Sequence, residues 1–224
     1  MNNKFYVTTP IYYVNDVPHI GHAYTTLACD IISRFKRLDG FDVFFLTGTD
    51  EHGQKVELAA NNKKVEPQDF VDEVSINFKN LLKCMKFTND DFIRTTEKRH
   101  IKACQKIWNK LIQNGHIYLG KYSGWYAIRD EAFFLESEII DGKAPSGAPV
   151  EWVEEPSYFF NLSKWQDKLL TLYEENKDFI SPSSRKNEVI NFVKGGLKDL
   201  SVSRTSFSWG IKVPKDDNHI MYVW

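Results

Sequence analysis

The first 46 residues spell strand, loop, helix, strand, and that order limits the possible fold more than any other feature of the chain. Residues 4–9 read as an apolar, aromatic-rich strand that breaks at Pro10 into a short loop. The loop closes with Pro18-His19-Ile20-Gly21-His22, and a helical pattern starts at once. Leu27, Ile31, Phe35 and Leu38 recur at three- to four-residue spacing across Ala23 to Leu38, and Gly40 supplies the stop. Phe41-Asp42-Val43-Phe44-Phe45-Leu46 follows as a second strand, apolar enough to be covered on both faces as parallel sheets require. Together these form one βαβ unit, whose ligand crevice opens at the carboxyl ends of its strands. The polar loop Thr47 to Gly53 leaves the second strand at the same edge as the His19–His22 loop, so the two converge.

That convergence gives the loops their chemistry. Two imidazoles and several backbone N–H groups stand at a helix N-terminus, where the macrodipole and unpaired donors favour an anion such as phosphate. Gly21 carries no Cβ and lets a ligand approach the backbone closely. Bare His-x-x-His spacing is common, and either ring can simply cap the helix. The strand-loop-helix context, with Pro10, Tyr13 and Asn15 just upstream, favours the anion. Asp50-Glu51-His52-Gly53 alone is an ordinary turn; sharing the crevice with the first loop turns Asp50 into a candidate ligand.

With 224 residues, 42% hydrophobic and 14% aromatic, the chain has enough apolar side chain for a packed core. A net charge of −1 carries no global bias toward nucleic acid. No apolar h-region follows the amino terminus and no run approaches the ~18 residues of a membrane span, so a soluble, cytoplasmic protein is expected. Cys29, Cys84 and Cys104 match neither a zinc pattern nor a disulfide framework and are expected to be buried or half-buried free thiols.

Further along, Pro67 to Met85 and Glu97 to Gln113 read as helices flanking a short strand, Asp91 to Thr95. After Gly115 the texture changes. Ile117 to Leu135 is aromatic and Gly-punctuated, as an antiparallel hairpin would be, and residues 142–149 form a Gly/Pro-rich loop. Ser163 to Glu175 and Ser184 to Lys194 read as helices, and residues 202–211 and 220–224 return to strand or loop. The fold class is therefore α/β, a parallel sheet interrupted by an α+β insertion.

Pro10-x-x-Tyr13-x-Asn15-x-x-Pro18-His19-Ile20-Gly21-His22 resembles the signature of class I aminoacyl-tRNA synthetases, and within them the methionine-specific branch. The resemblance continues through Gly48-Thr49-Asp50-Glu51-His52-Gly53, Ser203-Arg204, Trp209-Gly210-Ile211 and Tyr222-Val223-Trp224, and is weakest between about residues 130 and 195. It implies a Rossmann-like catalytic domain whose first half spans residues 1–116. A connective-peptide insertion would occupy 117–198, and 199–224 would return to the catalytic domain. The second half of the nucleotide fold, its Lys-Met-Ser-Lys-Ser loop and an anticodon-binding domain lie outside these residues, so a piece of a longer enzyme is expected.

The resemblance also implies an activity: methionine and ATP, with Mg2+, give methionyl-adenylate, and the methionyl group passes to tRNA(Met). It assigns His19 and His22 to catalysis, and His19, Gly21, His22 and Asn15 to ATP. Ile11, Tyr13, Asp50 and Trp224 would hold methionine, while Arg204 and His52 stand near the reacting groups. The zinc knuckle common in this family's insertion has no cysteines here, so no structural zinc is expected. Basic and aromatic residues from His116 to Arg129 read as a solvated hairpin face or a tRNA contact.

Rival readings remain. A leucine, valine or isoleucine enzyme would carry a far larger editing insertion, and a cysteine enzyme would need zinc ligands. A small-molecule adenylyltransferase would lack the insertion after Gly115. An RNA-binding or assembly module would be expected to be more basic.

Overall fold

The computed structural model describes residues 3–130, 132–134 and 136–222. Two compact units emerge, residues 1–105 with 207–211 and residues 106–206 with 212–224. The division at residue 105 lies inside a helix and earlier than the 116/117 boundary read from the sequence. Among the described residues, no helix is long and apolar enough to cross a membrane.

The first unit runs β1 (Lys4–Thr8), β2 (Tyr12–Tyr13), α1 (Ile20–Leu38), β3 (Asp42–Asp50), α2 (Gln54–Lys63), α3 (Pro67–Cys84), β4 (Asp91–Arg94) and the start of α4 (Lys98–Gln113). Every strand pair is parallel and β3 is central. Leu46 is in register with both Thr8 and Asp91, and Thr49 with both Tyr12 and Arg94. β1 and β2 therefore share one edge of β3, and β4 takes the other. This double pairing corrects the expected loop at Thr47: the strand continues to Asp50 because both its edges find backbone partners. Only residues 51–53 form the turn, and α2, which the sequence reading did not assign, begins directly after it.

Gly48 allows that pairing. A Cβ placed there would lie 2.0 Å from the Ile93 carbonyl oxygen and 2.6 Å from Ile93 Cγ2. Tyr12, Val14, Val56, Ala60, Phe70, Val71, Val74 and Phe78 form the core beside this end of the sheet, drawn from β2 and the residue after it, α2 and α3. Each fully buried phenylalanine contributes ~1.5–3 kcal/mol of transfer free energy.

Helix α1 is oriented differently from what its periodicity predicts. The stripe Leu27, Ile31, Phe35 and Leu38 is exposed, Leu38 at 89%, while Ala23, Thr26, Asp30 and Ser33 are buried. Polar contacts account for the buried side. Asp30 accepts the N–H and hydroxyl of Thr88, each at 2.6 Å, and pairs with Arg34 at 2.6 Å. Burial alone would raise the Asp30 carboxyl; these donors outweigh it and hold the group below the usual carboxylate range. Cys29 and Cys104 are half-buried, as read, but Cys84 is exposed at the end of α3, whose buried face ends with Leu82.

The second unit is antiparallel. β5 (Ile117–Ala127) pairs with β6 (Ala132–Phe134), the expected hairpin, and along ten residues with β7 (Glu151–Phe160). Glu151, Glu154, Glu155 and Pro156 broke the apolar pattern of β7, so the sequence reading missed it. Helices α5 (Gln166–Glu175) and α6 (Ser183–Lys194) follow, then β8 (Leu200–Ser201), β9 (Ser203–Arg204), β10 (Lys212–Val213) and β11 (Asp216–Met221). A buried polar cluster links β7, β8, β9 and β11. Ser203 Oγ lies 2.9 Å from His219 Nδ1 and donates or accepts near Ser157, and Arg204 Nη1 donates to Ser201 Oγ at 2.6 Å.

Candidate active site

His19 is the N-cap of α1, and its ring closes a reciprocal cap with His22. Gly21 N–H donates to His19 Nδ1 at 3.1 Å, and His19 N–H donates to His22 Nδ1 at 3.0 Å. The N–H groups of His22 and Ala23 both reach the His19 carbonyl. The sequence reading expected several free backbone donors here; the turn instead engages those of residues 19, 21, 22 and 23. What the site offers an anion is therefore the imidazoles and the helix dipole. Because each Nδ1 accepts a backbone proton, each neutral ring carries its own proton on Nε2, where it can serve as a donor. Burial, and secondarily the neighbouring His19, lower the His22 pKa below the ordinary imidazole value. Gly21 has a second reason to lack a side chain: its Cβ would lie 2.9 Å from His19 Cε1.

Tyr12 ties this helix start to the sheet. Its hydroxyl is 2.7 Å from Thr26 Oγ1 and donates to the His22 carbonyl at 3.3 Å. Its ring meets His22 edge-on at 4.8 Å and stacks on Phe78 at 5.8 Å. Its backbone, with that of Tyr13, pairs with Thr49 and Asp50 at the end of β3. One buried tyrosine thus fixes the histidine pair relative to Asp50. Sequence reasoning selected Tyr13 and passed over Tyr12. The signal was the alternation of strand side chains, which sends adjacent tyrosines to opposite faces.

Asp50 ends β3 half-buried, its carbonyl accepting Val14 N–H at 3.3 Å. Glu51 is fully buried: its carboxylate accepts Thr49 Oγ1 at 2.7 Å, Thr96 Oγ1 at 2.5 Å and Arg94 Nε at 2.7 Å. His52 packs edge-on against Trp209 at 5.4 Å. Burial pushes its imidazole down to about 4, with His100 adding to the shift, so His52 is neutral at physiological pH. Gly53 has φ +107°, open to glycine but costly for other residues, and passes beneath Tyr13, whose hydroxyl lies 3.0 Å from where a Cβ would be.

Tyr13, His19, Gly21, His22, Asp50 and His52 thus gather at the carboxyl end of β3. Ile11 is 36% exposed in the loop before β2, and Asn15 is exposed in the bend after it. Arg204 belongs to the second unit, buried in its polar cluster with its guanidinium 4.2 Å from the Tyr222 ring centroid. Trp224 lies outside the described residues. Among the described residues, no three His, Cys, Asp or Glu side chains are grouped to hold a metal ion.

A parallel sheet whose polar turns gather at the carboxyl ends of its strands is an α/β fold of the doubly wound kind. The chain belongs to the class I tRNA synthetases: the family model described as tRNA synthetases class I (M) matches residues 5–149 and 144–224. The fold of the first unit is correspondingly the α/β, Rossmann-like sheet of that class, and the second unit is α+β. Similar proteins include the methionine–tRNA ligases of Rickettsia conorii, 69% identical over all of this chain, and of Bacillus subtilis, 53% identical over all of it. A Mycobacterium tuberculosis methionyl-tRNA synthetase in complex with methionyl-adenylate superposes with a TM-score of 0.93 at 51% identity over 99% of this chain. The chain spans 44% of the Rickettsia protein, 36% of the Bacillus protein and 44% of the Mycobacterium chain, less than half of each.

Proposed function

We propose that this chain supplies the histidine-loop half of an enzyme that activates methionine with ATP and passes the methionyl group to tRNA(Met). The observation that carries the reading is the reciprocal His19–His22 cap, held by Tyr12 beside Asp50 at one end of β3. Attack of the methionine carboxylate on the α-phosphate, with departure of pyrophosphate, needs in-line placement and charge stabilisation and no protein base. In this reading His19 and His22 donate from Nε2 to phosphate oxygens, Gly21 and Asn15 border the ATP, and Asp50 receives the methionine ammonium. Ile11, Tyr13 and Trp224 surround the thioether, and Arg204 and neutral His52 lie near the reacting groups. Mg2+ accompanies ATP as part of the substrate. Residues 117–198 contain no cysteine, so the reading gives the insertion no structural zinc. In this reading the enzyme works in the cytoplasm.

The test is amino-acid-dependent exchange of pyrophosphate into ATP by the full-length protein, run with methionine, leucine, isoleucine, valine and cysteine. Methionine is expected to drive it alone; exchange driven by another of the five would overturn the assignment. Asp50→Ala is expected to raise the KM for methionine roughly 10- to 150-fold, the value of a hydrogen bond to a charged group. The KM for ATP should change little. If Asp50→Ala altered the ATP constant alone, the carboxylate would belong to the nucleotide side.

A further inference from the structure

We infer that Trp209 positions the amino-acid end of the site, acting through its indole N–H on the carbonyl of Glu51. The inference rests on the proposed function for the identity of the site, but its geometry stands by itself. Trp209 is 158 residues beyond Glu51 in sequence, yet its Nε1–H donates to the Glu51 carbonyl at 2.6 Å. Its own carbonyl accepts Gly53 N–H at 3.1 Å, and its ring packs on His52. Three consecutive residues of the turn are therefore each held by one distant tryptophan.

The turn has little other freedom. The Glu51 side chain is fixed by Thr49, Thr96 and Arg94, and its N–H donates to Thr95 Oγ1 at 2.8 Å. Arg94 continues to Asp72 on α3 at 2.5 Å. The peptide joining Glu51 to His52 is the remaining hinge, and the Trp209 donor sets its plane. Upstream of that hinge lies Asp50; downstream, Gly53 runs beneath the Tyr13 hydroxyl. Trp209 thus acts on both polar neighbours of the proposed methionine pocket. The His19–His22 cap is secured separately, by Tyr12 and by its own reciprocal bonds. A fault at Trp209 should therefore be felt by the amino acid and scarcely by the nucleotide.

Trp209→Phe keeps most of the ring and removes the donor. It is expected to raise the KM for methionine ~10-fold, the scale of a buried carbonyl left without its donor, with the ATP constant within about twofold. Replacing Trp209 with β-(3-benzothienyl)alanine, which keeps the indole shape without N–H, should give the same selective rise even if the phenylalanine variant folds poorly. Ser208→Ala removes the neighbouring 2.6 Å bond from Ser208 Oγ to Glu57 and should leave both constants unchanged. The inference is overturned if the benzothienyl protein matches the parent, if both substrate constants rise together, or if Ser208→Ala gives the same shift. A parent enzyme that activated a different amino acid would refute the methionine reading, while the same comparison run with that amino acid would still decide the role of Trp209.

Discussion

His22→Ala is expected to slow adenylate formation ~10²- to 10³-fold in kcat, as loss of one preorganised donor to a developing charge does. The KM for methionine should stay near its parent value, because the donor acts mainly in the transition state. The variant also loses a helix cap, since His22 Nδ1 accepts the His19 N–H, and that costs about 1 kcal/mol of stability. Two roles on one ring call for a variant that separates them. His22→Gln retains an acceptor at the third helical position, as in a capping box, and should restore the melting temperature but not the rate. Single-turnover adenylate formation with parallel thermal unfolding checks both. If His22→Gln restored the rate as well, the ring would be a cap and nothing more.

Gly48→Ala is expected to be the most damaging small substitution in the first unit. Its new methyl would stand 2.0 Å from a backbone oxygen of β4, and a backbone atom cannot swing aside as a side chain can. The strands must separate where Thr47 faces Phe92 and Thr49 faces Arg94. That movement also draws Arg94 from the fully buried Glu51 carboxylate, and breaking a buried pair costs ~3–5 kcal/mol. A loss of at least ~3 kcal/mol corresponds to a fall in Tm of roughly 6–12 °C for a folding unit of about 150–250 residues. A Gly48→Ala protein melting within about 2 °C of the parent would show that β3 and β4 are not packed this closely.

The His22 prediction rests on a contact within one helical turn, whereas the Gly48 prediction rests on contacts between residues far apart in the chain, and there the sequence reading thinned. The histidine loop, the helix after it and the apolar second strand were legible because their signals are local: a proline break, a 3.6-residue period, an apolar run. Asp50 was legible because two loops leave one sheet edge by topology alone. Tyr12 was missed because adjacent tyrosines look alike until pairing assigns each a face. The end of β3 was misplaced because Thr47-Gly48-Thr49-Asp50 is polar, and only double-edge pairing makes such a segment a strand. The stripe on α1 was correctly apolar, but periodicity marks a face without saying what the face meets.

What the sequence determined by itself was the strand, loop, helix, strand order of the first 46 residues, the anion-seeking histidine turn and the family it resembles, because composition and spacing within a few residues govern those. The two histidines cap each other within one helical turn, and tertiary structure decided that Tyr12 ties that turn to the sheet. It also decided that Glu51 is a buried anchor rather than a surface turn residue, and that a tryptophan more than 150 residues away holds the turn beside Asp50. Those outcomes depend on which donors and acceptors are excluded from water together, and exclusion is a property of the packed chain rather than of any segment within it.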